Sequence, residues 1–254
     1  MATLAVEELA VDFGGVTALA GVTFQVRPET ITSLIGPNGA GKTTAFNAIT
    51  GYLRPRKGRV TLDGAALGGL RPCDIAGRGV VRTFQKTSVF PGLSLRDNVM
   101  IGLHLRGRST LTGILAGRRA VAQEEARLAA EAETLIAFVG LGHRRDERAS
   151  ALPYGEQRLV EVAVALAARP RLLLLDEPAA GMTGGEKDRL VELVRRVREG
   201  GVTVFLVEHD MRLVMGVSDT VIVLNHGRVI AEGPPATIQA HPDVIRAYLG
   251  STRA

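Results

Sequence analysis

The sequence predicts an α/β protein: a mostly parallel sheet flanked by helices, opened by β-rich segments and interrupted by a helical insertion. Three observations carry this reading. Short apolar runs such as Leu172–Leu175 and the segment VTVFLV sit between amphipathic stretches, and strands covered on both faces read as continuous runs rather than alternations. Those runs alternate with helical segments, the order of βαβ units. Residues 94–148 then change composition to Ala, Arg, Glu and Leu at helical spacing, which marks an insertion into the α/β core.

In chain order, LAVEELAVDF, VTFQV and ITSLIG read as strands, the last running into a glycine-rich loop and the helix TTAFNAITGYL. Residues Arg59–Leu62 form a further strand before the turn dipeptide Asp63-Gly64. Val121–Val139 is an amphipathic helix, preceded by RGRSTLTGILAGRR, a loop or short-helix insertion centred on 107–119. The helix EQRLVEVAVALAAR stops before Pro170, and RLLLLD follows as a buried strand. GEKDRLVELVRRVREG is a helix ended by Gly200-Gly201; then come the strand VTVFLVEH, the helix MRLVMGVSD and the strand TVIVLNHG.

Composition sets outer limits. With 254 residues, 46% hydrophobic, the chain buries a real core and is not mainly disordered. The single cysteine, Cys73, excludes an internal disulfide framework. No apolar run reaches the ~18–20 residues of a membrane span, and the start MATLAVEELAVDF lacks the basic region of a secretory signal. A soluble, cytoplasmic protein is expected. The net charge of +5 concentrates between Arg54 and Lys86, where eight Lys/Arg face only Asp63 and Asp74. A solvated surface is the first reading, with phosphate or anionic lipid as the alternative. Aromatics at 4%, without a recognition-helix pattern, argue against nucleic acid.

The chemistry concentrates in a few motifs. Gly36-Pro37-Asn38-Gly39-Ala40-Gly41-Lys42-Thr43 fits G-x-x-x-x-G-K-[ST], with a strand before and the helix TTAFNAITGYL, which holds Thr43 and Thr44, after. Glycines let successive N–H groups converge on phosphate oxygens, Lys42 reaches the β/γ-phosphates, and Thr43 binds Mg²⁺. The helix adds its positive end. A chance match in a chain this long is about one in a hundred. Asp176 and Glu177 follow four leucines, at the strand end where α/β sheets place ligands. Asp176 suits Mg²⁺, and Glu177 suits a base for water attacking the γ-phosphate. His209 ends the strand VTVFLVEH in the same way, placed to bond the γ-phosphate. Gln85 ends the strand begun by Val80-Val81-Arg82, its amide oxygen available to Mg²⁺ or water. Leu152-Pro153-Tyr154-Gly155-Glu156-Gln157 is a glycine turn opening a helix, a second potential anion site.

The order of these features resembles the ATP-binding cassette ATPase family over essentially the whole chain. The resemblance implies a P-loop NTPase core with an N-terminal antiparallel β subdomain and an inserted α-helical subdomain. The core is then 1–93 and 153–235, the helical subdomain 94–152, and 236–254 a helical tail. In family terms Gly36–Thr44 is the phosphate loop, Gln85 the Q-loop glutamine and Leu152–Gln157 the signature that meets a partner's ATP. Asp176 is the magnesium aspartate, Glu177 the catalytic base, Ala180, Gly181, Met182 and Thr183 the D-loop, and His209 the switch histidine. Phe13 sits where the family stacks an aromatic on adenine. Within the family, VVRTFQ, LPYGEQ, LLLLDEPAAGM, the tail HPDVIRAYLG and the ~67 residues from Gln85 to the signature resemble branched-chain amino acid importers. Pro153 and Tyr154 depart from the usual signature Ser and Gly, and Thr183 from a common D-loop Asp.

That resemblance implies ATP and Mg²⁺ as cofactors and a peripheral place on the cytoplasmic face of the membrane. It further implies two permease subunits, a second, related cassette (a heterodimer) and, indirectly, an extracytoplasmic solute-binding protein, with no nucleic acid. A cassette for urea, amides or lipopolysaccharide export is an alternative cargo reading. A soluble cassette of DNA repair or translation is the rival from another class.

Overall fold

A computed structural model describes residues 3–84, 89–104 and 118–250. Two compact units emerge: Met1–Gln85 with Arg171–Ala180 and Lys187–Ala254, and Lys86–Pro170 with Gly181–Glu186.

The first unit holds two sheets. Strands β1 (Leu4–Phe13) and β2 (Val16–Val26) form a hairpin over Gly14-Gly15, both at positive φ, the tight turn that strand twist favours. With β4 (Lys57–Leu62) and β5 (Ala65–Ala66) they make an antiparallel sheet of order β2-β1-β4-β5. The second sheet has the order β10-β9-β3-β8-β7-β6. Its strands are β3 (Ile31–Ile35), β6 (Val80–Arg82), β7 (Leu172–Asp176), β8 (Thr203–Val207), β9 (Thr220–Asn225) and β10 (Arg228–Gly233). All pair in parallel except β10, which returns antiparallel along β9. Strands β3, β7 and β8 are buried at every residue, as their continuous apolar runs predict.

Helix α1 (Lys42–Ile49) leaves β3 and packs Phe46 on Phe205 of β8, ring centroids 5.0 Å apart, while Phe24 of β2 meets the same ring at 5.5 Å. This aromatic trio joins both sheets in one core. Helix α2 (Pro72–Gly77) precedes β6. The basic stretch is largely answered by acids: Arg59 pairs with Glu7 at 2.6 Å, Lys57 with Glu8 at 3.8 Å, Arg56 with Asp12 at 2.5 Å and Arg71 with Asp74 at 2.9 Å. These four pairs lie on a solvated surface, whereas Arg82 of the same stretch is buried.

The second unit is helical: α3 (Leu95–His104), α4 (Arg118–Phe138) and α5 (Tyr154–Ala167). Ser94 caps α3 by accepting the Asp97 N–H and donating to its carboxylate. Buried Asn98 holds the preceding loop, accepting from Phe90 N and donating to the carbonyls of Phe90 and Ser94. Gly102 lets α3 approach α5 closely; a Cβ there would lie 2.8 Å from the Val164 carbonyl.

Several boundaries differ from expectation. Helix α5, expected to begin the second half of the core at 153, groups with α3 and α4, because its apolar face packs on them. Helices α6 (Gly184–Glu199), α7 (Met211–Val217), α8 (Pro235–Gln239) and α9 (Pro242–Gly250) complete the chain. Ile238 of α8 and Val244 of α9 are buried with Ile35, Val221 and Val223, so residues 236–250 pack within the first unit. Strand β10 was not anticipated: it is an edge strand of mixed residues, and half-burial erases the apolar run. Strand β6 ends at Arg82 rather than Gln85, which lies with residues 107–117 of the insertion outside the described residues, while Arg118 and Arg119 open α4. Strand β8 ends at Val207, two residues before His209.

Candidate functional site

The phosphate-binding candidate leaves the C-terminal end of β3 between β8 and β9. Gly36 lies flush on β9, where a Cβ would collide with the Leu224 carbonyl. Gly41, at φ 107°, caps α1 without a side chain, and a Cβ there would lie 2.7 Å from the Ala18 carbonyl of β2. Gly227, in the β9–β10 turn, donates to Ala40 O at 3.0 Å, and Ala20 N donates to Gly227 O at 2.9 Å. Pro37, Asn38 and Gly39 form the arch, with Ala40 N returning to Pro37 O at 3.1 Å. Lys42 is folded beneath it, Nζ donating to Gly36 O at 2.7 Å and Pro37 O at 3.0 Å. Burial lowers its pKa; the carboxylates of Glu177 and Asp176 act in the opposite sense. Thr43 and Thr44 lie in the first turn of α1, which has no acidic residue.

Strand β7 delivers Asp176 into register with Val207 at the end of β8. Its carboxylate forms a buried ion pair with Arg82, Nη2 to Oδ2 at 2.6 Å. The same guanidinium donates to Asn47 Oδ1 at 2.7 Å and Thr50 Oγ1 at 3.3 Å, and lies 5.5 and 5.2 Å from the Phe46 and Phe84 ring centroids. Glu177 takes the left-handed conformation, φ 47°, costly for a residue with a Cβ. Its N–H donates to Val207 O at 2.9 Å, and its carbonyl accepts from Ala180 N at 3.1 Å. The turn brings Glu177 Oε2 within 3.9 Å of His209 Nδ1, whose side chain is 59% exposed.

Glu208, one residue before His209, is 1% exposed and accepts from Ala179 N at 2.8 Å and His209 N at 3.1 Å. Burial pushes its carboxyl above the usual carboxylate range. Asp210 caps α7 through Leu213 N and binds Lys187 at 2.6 Å, which holds its carboxyl below that range. Arg82 and Glu208 were not among the residues singled out from sequence; the available signal was a charged residue ending an otherwise apolar strand. Phe13 ends β1 at the hairpin tip, 51% exposed.

The second unit carries the other motif. Pro153 opens α5, its carbonyl accepting from Glu156 N and Gln157 N, and Gln157 Nε2 donates to Leu152 O at 3.0 Å. The Tyr154 ring lies 5.2 Å from the Arg158 guanidinium and against Gly181, at φ 77°. Gly155 faces the Glu186 carboxylate so closely that a Cβ would collide with it. Glu186 Oε2 in turn accepts from Thr183 N at 2.7 Å and Thr183 Oγ1 at 2.8 Å. Thr183 thus opens α6 with Glu186 three residues on, the spacing of a capping box. Met182 is buried beside it.

Residues 19–180 match the ABC transporter family, and residues 228–254 match a second family described as branched-chain amino acid ATP-binding cassette transporter. The chain belongs to the ABC transporter family. Among its relatives in that family, the high-affinity branched-chain amino acid transport ATP-binding protein BraF of Pseudomonas aeruginosa is 43% identical, covering 97% of each chain. The corresponding protein LivG of Escherichia coli is 41% identical, again over 97% of each chain. A nucleotide-free ATP-binding cassette of an ABC transporter superposes with TM-score 0.85 at 30% identity, covering 98% of this chain and 99% of that one. A cassette in its ADP conformation gives 0.86 at 31% identity, with the same coverage. The ABC fold expected from the motifs is the fold observed. No helix among the described residues is long and apolar enough to cross a membrane.

Proposed function

We propose that this ABC ATPase energises uptake of branched-chain or related amino acids through permease subunits carried by other chains. The observation behind it is the gathering of Lys42, Asp176, Glu177 and His209 at the C-terminal edge of one parallel sheet, in a chain 43% identical to BraF. Backbone N–H groups of Gly39–Thr44 cradle the phosphates, and Lys42 supplies a point charge on the β/γ-oxygens. Glu177 accepts the proton of a water that attacks the γ-phosphorus, giving ADP and phosphate; His209 donates to the γ-phosphate and holds that water in line. Phe13 offers its exposed face to adenine.

The donor set fits Mg²⁺. A hydroxyl from Thr43 and a carboxylate from Asp176 are hard oxygen ligands of the kind that share this ion with phosphates, and no acid-rich cage occurs among the described residues. Gln85 is the third oxygen in this assignment. Held by these residues, Mg²⁺ would supply charge neutralisation for the phosphate groups. The Leu152–Gln157 motif closes the nucleotide of a second, related cassette, with Ala180–Thr183 beside it. A peripheral position on the cytoplasmic membrane face, a heterodimer of cassettes and a distant solute-binding protein complete the assignment.

Co-expression with branched-chain amino acid permease subunits, followed by reconstitution into vesicles, tests both levels. ATP-dependent uptake of leucine, isoleucine or valine is expected. Glu177→Gln should still bind ATP but lose uptake and turnover. Uptake of another solute class would overturn the cargo, failure to bind membrane subunits the transport reading, and steady hydrolysis by Glu177→Gln the base.

A further inference from the structure

We propose that Glu208 is a positioning residue of the hydrolytic site: its carboxylate ties the loop after β7 to the loop after β8 and so sets the separation of Glu177 and His209. The inference rests on the roles proposed above for those two residues.

A carboxylate at 1% exposure is costly unless its oxygens are fully bonded. Arg and Lys do not answer it among the described ion pairs, where its partner is His209, 4.0 Å away. Main-chain donors do: Ala179 N on Oε1 at 2.8 Å and His209 N on Oε2 at 3.1 Å. One side chain therefore grips two different strand ends. Ala179 is two residues beyond Glu177, whose left-handed backbone persists only if its surroundings hold it. Val207 O fixes the Glu177 N–H, and Glu208 fixes the next turn. His209 has an exposed ring, so its main chain, anchored through its N–H to Glu208, supplies the restraint. The 3.9 Å approach of Glu177 to His209 follows from both anchors.

Glu208→Gln is the sharp test, because volume is kept while one acceptor oxygen becomes an NH₂ group facing an N–H donor. The full chain, assembled in its transporter, is assayed by single-turnover hydrolysis, equilibrium binding of a fluorescent ATP analogue and thermal melting. The expected result is a hydrolysis rate lowered at least about tenfold, as misplacement at a reacting centre produces. Nucleotide Kd should stay within about twofold, and Glu208→Gln should slow a His209→Ala background by no more than about twofold. Wild-type hydrolysis by Glu208→Gln, additive losses with His209→Ala, or a rate that falls only in step with Kd and melting temperature would each overturn the inference. If His209→Ala and Glu177→Gln themselves hydrolyse ATP normally, the underlying site assignment falls as well; if they are impaired and Glu208→Gln is not, this inference falls alone.

Discussion

Arg82 ties the end of β7 to the end of α1. It is 6% exposed at the side chain, pairs with Asp176 at the same burial, and bonds α1 through Asn47 and Thr50. Removing one partner of a buried pair leaves the other charge uncompensated, at a cost of about 3–5 kcal/mol. Arg82→Met should lower the unfolding free energy by that amount, read from urea midpoints at constant slope. Arg82→Lys keeps the charge but loses the planar fork, so it should recover only part of the loss. A wild-type midpoint for Arg82→Met would show that Asp176 is held by other means. Such a residue is nearly invisible in sequence. Lys42, Asp176 and Glu177 stood out because motif spacing marks them, whereas Arg82 and Glu208 are single charges closing apolar strands, with partners 94 and 29 residues away.

At the scale of elements, continuous apolar runs made β3, β7 and β8 legible, because burial on both faces leaves no other pattern. Edge strand β10 escaped, since its residues are only half-buried and its pairing is decided by the His226-Gly227 turn. The start of α6 explains a departure that family resemblance alone left open. Thr183 stands where an Asp is common, and it works here as a helix cap: its hydroxyl and N–H both reach Glu186. Thr183→Val removes the hydroxyl bond and keeps the shape, so it should destabilise by about 0.5–1.5 kcal/mol. Glu186→Ala, which strips both bonds, should cost more. Thermal melts of the two variants and their double would check this, with sub-additive losses expected for partners in one bond network. Equal melting temperatures for Thr183→Val and wild type would remove the cap from the account.

The whole molecule carries half of each nucleotide site it takes part in, by the reading proposed above. Alone and dilute it should hydrolyse ATP poorly, and addition of the partner cassette should restore turnover; vigorous hydrolysis below any dimerising concentration would count against a shared site. Pro153, at φ −53° and without an N–H or hydroxyl, cannot make the contact a signature serine makes. Paired with a serine-bearing partner, the two sites should differ by about one charge-assisted bond, roughly 1.5–3 kcal/mol. Inactivating Glu177 and its counterpart one at a time should then give unequal residual rates.

The bracing of the phosphate loop has a thermodynamic consequence. Gly36 is pressed on Leu224, Gly41 on Ala18, and Ala40 O is held by Gly227 N. A backbone pinned on three sides has already given up its conformational entropy during folding, so little remains to be lost to a ligand. Nucleotide capture should therefore proceed at a rate set by encounter rather than loop ordering, and leave most of the binding energy for closure against the second cassette.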